Sequence, residues 1–195
     1  MAAAVPRRIC QVSWLALGPF TVFDVETTGM SPRNDRIVEI AALRIDTDGT
    51  ESRYSTLVNP GRHIPAQSAA VHHITDDMVA DAPGFDQVGQ EFIQFIRGSI
   101  LVAHNARFDL GFLQESLARC DLPLWDGKTM DTIRLVKNTH PDLPSYRLQD
   151  LRHSLRLDCH PEGTAHRAFS DVEWTAQLLQ VALTAAMKIA KKTDC

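Results

Sequence analysis

Asp24 and Glu26 stand at the end of an otherwise apolar run, Thr21–Glu26. On a strand, residues two apart point to the same face. The two acids therefore lie side by side, while Phe23 and Val25 take the opposite face. Neighbouring carboxylates repel one another and lose hydration. A divalent cation removes the conflict by supplying charge and taking oxygen ligands. The competing reading of the pair taken alone is an exposed strand end with two solvated acids.

Two more acids are placed where a core face is expected. In His104-Asn105-Ala106-Arg107-Phe108-Asp109, Asn105 is suited to cap a helix, which puts Asp109 in its first turn. The helix dipole favours an anion there. Asp109 also extends the stripe of Leu113, Leu117 and Cys120, an inward face on which a carboxylate needs a cation or a hydrogen-bond network. Farther on, Asp171, Leu178, Ala182, Ala185 and Ile189 share one helical stripe, with Asp171 at its outer end. His166 lies five residues before Asp171, off that face, on the approach to the helix. Taken singly, Asp109 also reads as an ordinary first-turn acid, and His166 as an exposed loop residue.

The elements that must position these groups alternate in type. Thr21–Glu26 and Arg36–Asp46 read as strands joined through Gly29, Pro32 and Asn34. Asp48-Gly49 predicts a hairpin into a third strand, Tyr54–Val58. Ile100–Ala103 is a short buried strand between helices at Phe85–Arg97 and Ala106–Arg119, and another short strand is expected near Met130. Helices follow over Leu148–Leu155 and Arg167–Lys191. Hairpins first and helix–strand alternation later imply an α/β fold with a mixed sheet.

The bulk properties narrow the class. A length of 195 residues favours one domain, 1–195, with residues 1–19 as a lead-in. Hydrophobic and charged contents of 44% and 23% are those of a globular protein. The net charge of −4 excludes a generally basic nucleic-acid coat, so any nucleic acid must be bound locally. Cys10, Cys120, Cys159 and Cys195 form no CxxC pair and read as reduced thiols of a cytoplasmic protein, not as zinc ligands. No apolar run is long enough to cross a membrane.

Together the segments resemble the DEDDh 3′→5′ exonucleases, and within them the proofreading epsilon subunits of bacterial DNA polymerase III. The resemblance rests on Phe23-Asp24-Val25-Glu26-Thr27-Thr28-Gly29-Met30, on His104 to Asp109, and on His166-Arg167-Ala168-Phe169-Ser170-Asp171. Asn59-Pro60-Gly61, Val71-His72-His73-Ile74-Thr75, Asp131-Thr132 and Tyr146 to Leu151 match between them, and the likeness runs from about residue 20 to 183. It implies a ribonuclease H-like fold, a mixed five-stranded sheet flanked by helices. It also implies two divalent cations, Mg²⁺ or Mn²⁺. Asp24, Glu26 and Asp171 would hold the first, and Asp24 would bridge to a second near Asp109. His166 would be the general base.

The residues suit that chemistry in their own right. An anionic phosphodiester repels hydroxide, and paired ions activate the water and flank the attacking and leaving oxygens. Histidine, with an unperturbed pKa of about 6.5, takes a proton near neutrality. Hard oxygen ligands favour Mg²⁺ or Mn²⁺.

The resemblance further implies a pocket for a terminal nucleotide. Thr27 and Thr28 would offer groups to the 3′ end, and Gly29 and Asn105 would also bind the substrate. Met30 would wedge against the terminal bases, and His72 and Phe108 would line the pocket; core packing is the alternative for Met30 and Phe108. His73 stands where the family often has glycine. The expected partner is a single-stranded or frayed DNA 3′ end, with an RNA end as the alternative. A polymerase partner is implied as well, although no docking tail is recognisable. A non-catalytic subunit is disfavoured because all five expected catalytic residues are present.

Overall fold

The computed structural model describes residues 13–157 and 168–193. One turn of 3-10 helix, Trp14–Leu17, leads into strands β1 (Phe20–Thr27), β2 (Ile37–Ile45) and β3 (Glu51–Leu57). Helices α1 (Ala66–His72), α2 (Asp76–Val79) and α3 (Phe85–Ile96) precede β4 (Ile100–Ala103). Helix α4 (Ala106–Arg119) joins β4 to β5 (Thr129–Asp131). The chain continues through α5 (Thr132–Thr139), α6 (Leu148–Ser154) and α7 (Ala168–Thr193).

The strands form one sheet in the order β3-β2-β1-β4-β5. β1–β2 and β2–β3 are antiparallel, whereas β1–β4 and β4–β5 are parallel. This is the mixed five-stranded sheet flanked by helices that the ribonuclease H-like expectation required. The β2–β3 hairpin turns at Asp48-Gly49 as the dipeptide predicts: Gly49 has φ 88°, and the Asp48 carboxylate accepts the Thr50 N–H at 2.9 Å.

Both faces of the sheet are covered, and this decides where side chains go. Phe23 and Val25 of β1 join Phe92 of α3 and Phe112, Leu113 and Leu117 of α4 in one core. Phe20 and Val22, on the other face, pack with Val172 and Leu179 of α7 and with Ala41 and Leu43 of β2. β2 is buried along nearly its whole length, so it reads as a continuous apolar run and not as an alternation.

Four differences from the sequence reading have physical causes. Helices α1, α2 and α5 are too short for an apolar repeat to announce them. Strand β3 begins at Glu51, earlier than expected, because its first residues are exposed polar side chains on an edge. Asn105 does not cap α4 through its side chain; it sits in the left-handed region at φ 70°, and its carbonyl accepts the Phe108 N–H at 2.9 Å. The α7 stripe holds through Leu178 and Ala182, but Ile189 is 49% exposed because the helix outruns the sheet. Among the described residues, no helix is long and apolar enough to cross a membrane.

Candidate active site

Asp24 and Glu26 continue the face of β1 that begins with Phe20 and Val22, the face covered by α7. Asp171, in the first turn of α7, therefore meets them at the end of the strand. Each of the three offers a carboxylate oxygen, and those oxygens all lie within 4.8 Å of one another. Asp109, in the first turn of α4, reaches the same end from the opposite face of the sheet. It is buried, and its Oδ1 accepts the Val25 N–H at 3.2 Å. It stands outside the close set of three.

The electrostatics follow from this convergence. Burial, and then the charges of Asp109, Glu26, Asp171 and Glu39, push Asp24 well above the ordinary carboxylate range. Burial pushes Asp109 up to about 7; the Val25 N–H opposes the shift, while Asp131 and Asp171 add to it. Four acids thus share a space in which they cannot all ionise cheaply. Hard carboxylate oxygens in that arrangement fit a divalent cation. His166 lies outside the described residues.

Beside the acids is a cavity of about 540 Å³ lined by Thr27, Thr28, Gly29, Met30, His72 and Phe108, among others. Asn105 is not part of its lining. Met30 is 80% exposed, so core packing does not explain it, whereas Phe108 is half-buried against the α3–α4 core. His72 is buried. Its Nδ1 accepts the Ile74 N–H at 3.0 Å, so Nε2 carries the proton and donates to the Thr27 carbonyl at 3.3 Å. The Thr27 hydroxyl donates to the Gly29 carbonyl at 2.6 Å, and the Thr28 oxygen accepts the Arg36 N–H at 3.0 Å. Both hydroxyls thus help to shape the turn. A larger hollow of about 730 Å³ lies at the other end of the parallel strands, by Pro19, Ile100 and Trp125, away from the acid cluster.

Sequence reasoning missed several supports of the site. Glu39 is the lone acid in β2, pairs in register with Glu26, is buried, and accepts the Ala168 N–H at 3.3 Å. An acid inside an apolar strand was its signal. Gln149 donates to Asp171 Oδ1 at 3.3 Å. His104 contacts the Thr132 hydroxyl at 2.9 Å, and its Nε2 donates to the Tyr146 carbonyl at 3.0 Å, bracing β4 against α5 and the approach to α6. Burial holds the His104 pKa below its ordinary value.

Comparison with known proteins agrees with this geometry. The exonuclease family described as RNase T matches residues 21–179. DNA polymerase III subunit epsilon of Treponema pallidum (strain Nichols) is 41% identical over 161 residues, which cover 82% of this chain and 74% of that protein. The 3′-5′ exonuclease DinG of Bacillus subtilis (strain 168) is 38% identical over 157 residues, covering 80% of this chain but only 16% of that protein. Among solved structures, Exonuclease X in complex with 5′ overhanging duplex DNA superposes with a TM-score of 0.66 at 33% identity, covering 85% of this chain and 91% of the other. The chain belongs to the RNase T exonuclease family and is a nuclease.

Proposed function

We propose that the chain is one exonuclease domain that hydrolyses DNA from its 3′ end and releases nucleoside 5′-monophosphates with the help of two divalent cations. One observation carries this reading: the Asp24, Glu26 and Asp171 oxygens converge within 4.8 Å beside a cavity of about 540 Å³. That volume lies within the ~300–1,000 Å³ range of small-ligand pockets and suits a single terminal nucleotide. The names of the relatives, a polymerase epsilon subunit and a 3′-5′ exonuclease, support the direction of attack. The DNA in the Exonuclease X complex supports the substrate.

In this reading Asp24, Glu26 and Asp171 would hold one cation, and Asp24 and Asp109 would help to hold a second. When bound, the pair lowers the pKa of the attacking water and neutralises charge on the scissile phosphate. The chain's own groups do the remainder. His166, which precedes α7 in the sequence, would take the proton from the water. Phe108 and Met30 flank the terminal base, and a base against an apolar or aromatic face is a sequence-tolerant contact. Glu39 and Gln149 hold α7 and Asp171 in position. Polymerase association and a cytoplasmic setting belong to the same proposal.

The test is a 5′-labelled single-stranded DNA, its duplex and the matching RNA, each with Mg²⁺, Mn²⁺ or EDTA. Stepwise shortening of DNA from the 3′ end, abolished by EDTA, is expected. Equal cutting of a circular strand, or activity surviving EDTA, refutes an exonuclease dependent on these acids. Faster shortening of RNA than of DNA reassigns the substrate, because contacts to the 2′-OH would then govern selection.

A further inference from the structure

The loop between β1 and β2 is tethered from several sides. Within it, the Ser31 N–H donates to Asp35 Oδ2 at 2.9 Å, and the N–H groups of Asn34 and Asp35 reach the Ser31 carbonyl at 3.0 and 2.7 Å. Gly29 passes so close to Asp35 that a Cβ there would stand 2.5 Å from the carboxylate. Three arginines then hold the loop's carbonyls. Arg36 Nη1 donates to the carbonyls of Asn34 at 3.2 Å and Asp35 at 2.9 Å, and Arg62 Nη1 donates to Asn34 at 2.6 Å.

Arg119, the last residue of α4, donates to the carbonyls of Pro32 at 2.5 Å, Arg33 at 2.7 Å and Asp35 at 3.3 Å. Gly111 on the same helix lets the Pro32 ring come close: a Cβ there would lie 3.2 Å from Pro32 Cγ. The loop is thus locked to α4. Its large apolar side chain, Met30, is nevertheless 80% exposed at the rim of the terminal-nucleotide pocket.

A methionine on a slack loop would turn aside when pushed. On this frame it meets resistance from the body of α4. A single strand entering the pocket does not need a stiff rim. A paired end does, because unpairing and unstacking its last base costs free energy that only a fixed group can help to meet. We infer that Arg119 is a positioning residue for paired 3′ ends: it clamps the 28–36 loop to α4 so that Met30 holds its place against the terminal base pair. Arg119 thereby sets the ratio of activity on paired to single-stranded ends. The inference rests on the proposed reading that the neighbouring pocket takes a 3′-terminal nucleotide. Arg119 does not line that pocket itself.

The experiment uses the full chain with Mg²⁺ and one 5′-labelled strand, free or annealed into a blunt duplex. The variants are Arg119→Gln, Arg119→Lys, Met30→Ala and the double Arg119→Gln/Met30→Ala. Misplacing a positioning element by about an ångström costs up to ~100-fold, so a loss of about tenfold or more in kcat/KM on the duplex is expected for Arg119→Gln. Single-strand activity should stay within about twofold, as for a substitution remote from the chemistry. Lysine keeps the charge but lacks the planar fork that spans three carbonyls, so Arg119→Lys should lose most of the same selectivity. The double variant should lose no more than Met30→Ala alone, because the two residues act through one element.

Equal losses on both substrates, or losses that multiply in the double variant, overturn the inference; so does a wild-type chain inactive on blunt ends but active on single strands. If Arg119→Gln does not fold, seen as loss of the cooperative melting transition, Arg119→Lys decides the same comparison. A wild-type chain that shortens neither strand from its 3′ end refutes the proposed function instead.

Discussion

Glu39 on β2 accepts the backbone N–H of Ala168 at 3.3 Å, and this bond ties the first residue of α7 to the strand beside Glu26. Asp171 is one turn farther along that helix. Glu39→Ala removes the acceptor and leaves a buried N–H without it; a lost hydrogen bond to a charged group costs about 1.5–3 kcal/mol. Glu39→Gln retains a carbonyl acceptor. The alanine variant is expected to melt lower and lose activity, and the glutamine variant to keep most of both, checked by melting curves and DNA-end hydrolysis. Equal loss in both variants would assign the role to charge.

Asp24 bears the repulsion of four other acids. Asp24→Asn removes one charge from that cluster without changing its volume. The metal-free variant is expected to melt higher than wild type, yet to lose its stabilisation by Mn²⁺ and its activity. Melting curves in EDTA and in Mn²⁺ decide it. A lower melting temperature in EDTA, together with a full wild-type gain from Mn²⁺, would make Asp24 a structural residue.

The metal-free protein should also respond to pH through Asp109. Its carboxyl ionises near 3.8 when unfolded and near about 7 when folded. A raised acid pKa means that the folded chain holds its proton longer. The stability it contributes is present below the unfolded value and is lost as pH rises through about 7. His104, shifted down by burial, acts in the opposite sense at lower pH. The measurement is therefore the difference in urea midpoint between wild type and Asp109→Asn across about pH 5–8 in EDTA. The variant's advantage should grow with pH, and a constant difference would show that Asp109 does not carry the effect.

His166→Ala is expected to keep Mn²⁺ binding and lose about 10²–10⁴-fold in turnover, the usual contribution of a general base. Calorimetry and single-turnover rates separate the two effects. Loss of Mn²⁺ binding would make the histidine a ligand.

His73 ends α1 in the left-handed conformation, φ 61°, with its N–H on the Ala69 carbonyl at 2.8 Å. That conformation costs a side chain about 1–2 kcal/mol, part of which glycine gives back through the entropy of the unfolded chain. His73→Gly is expected to stabilise by roughly 0.5–1 kcal/mol, or about 1–4 °C. An unchanged or lower melting temperature would mean that the imidazole makes a compensating contact.

By itself the sequence determined what depends on backbone period and on neighbours a few residues away. The spacing of Asp24 and Glu26 put them on one face of β1, Asp48-Gly49 marked the hairpin, and α4 has the bounds read from its pattern, Ala106–Arg119. The first-turn places of Asp109 and Asp171 were legible for the same reason. Only the tertiary structure decided how distant parts meet. It brought Asp109 to the Val25 N–H across 84 residues, Glu39 to Ala168 across 129, and Arg119 to the loop beneath Met30 across more than 80. It also turned Asn105 left-handed and enlisted the Thr27 and Thr28 hydroxyls in the turn. A strand or helix period is set by local sterics and repeats along the chain. Which carboxylate finds which N–H depends on how two covered faces of one sheet pack together, and that is written in no single stretch of residues.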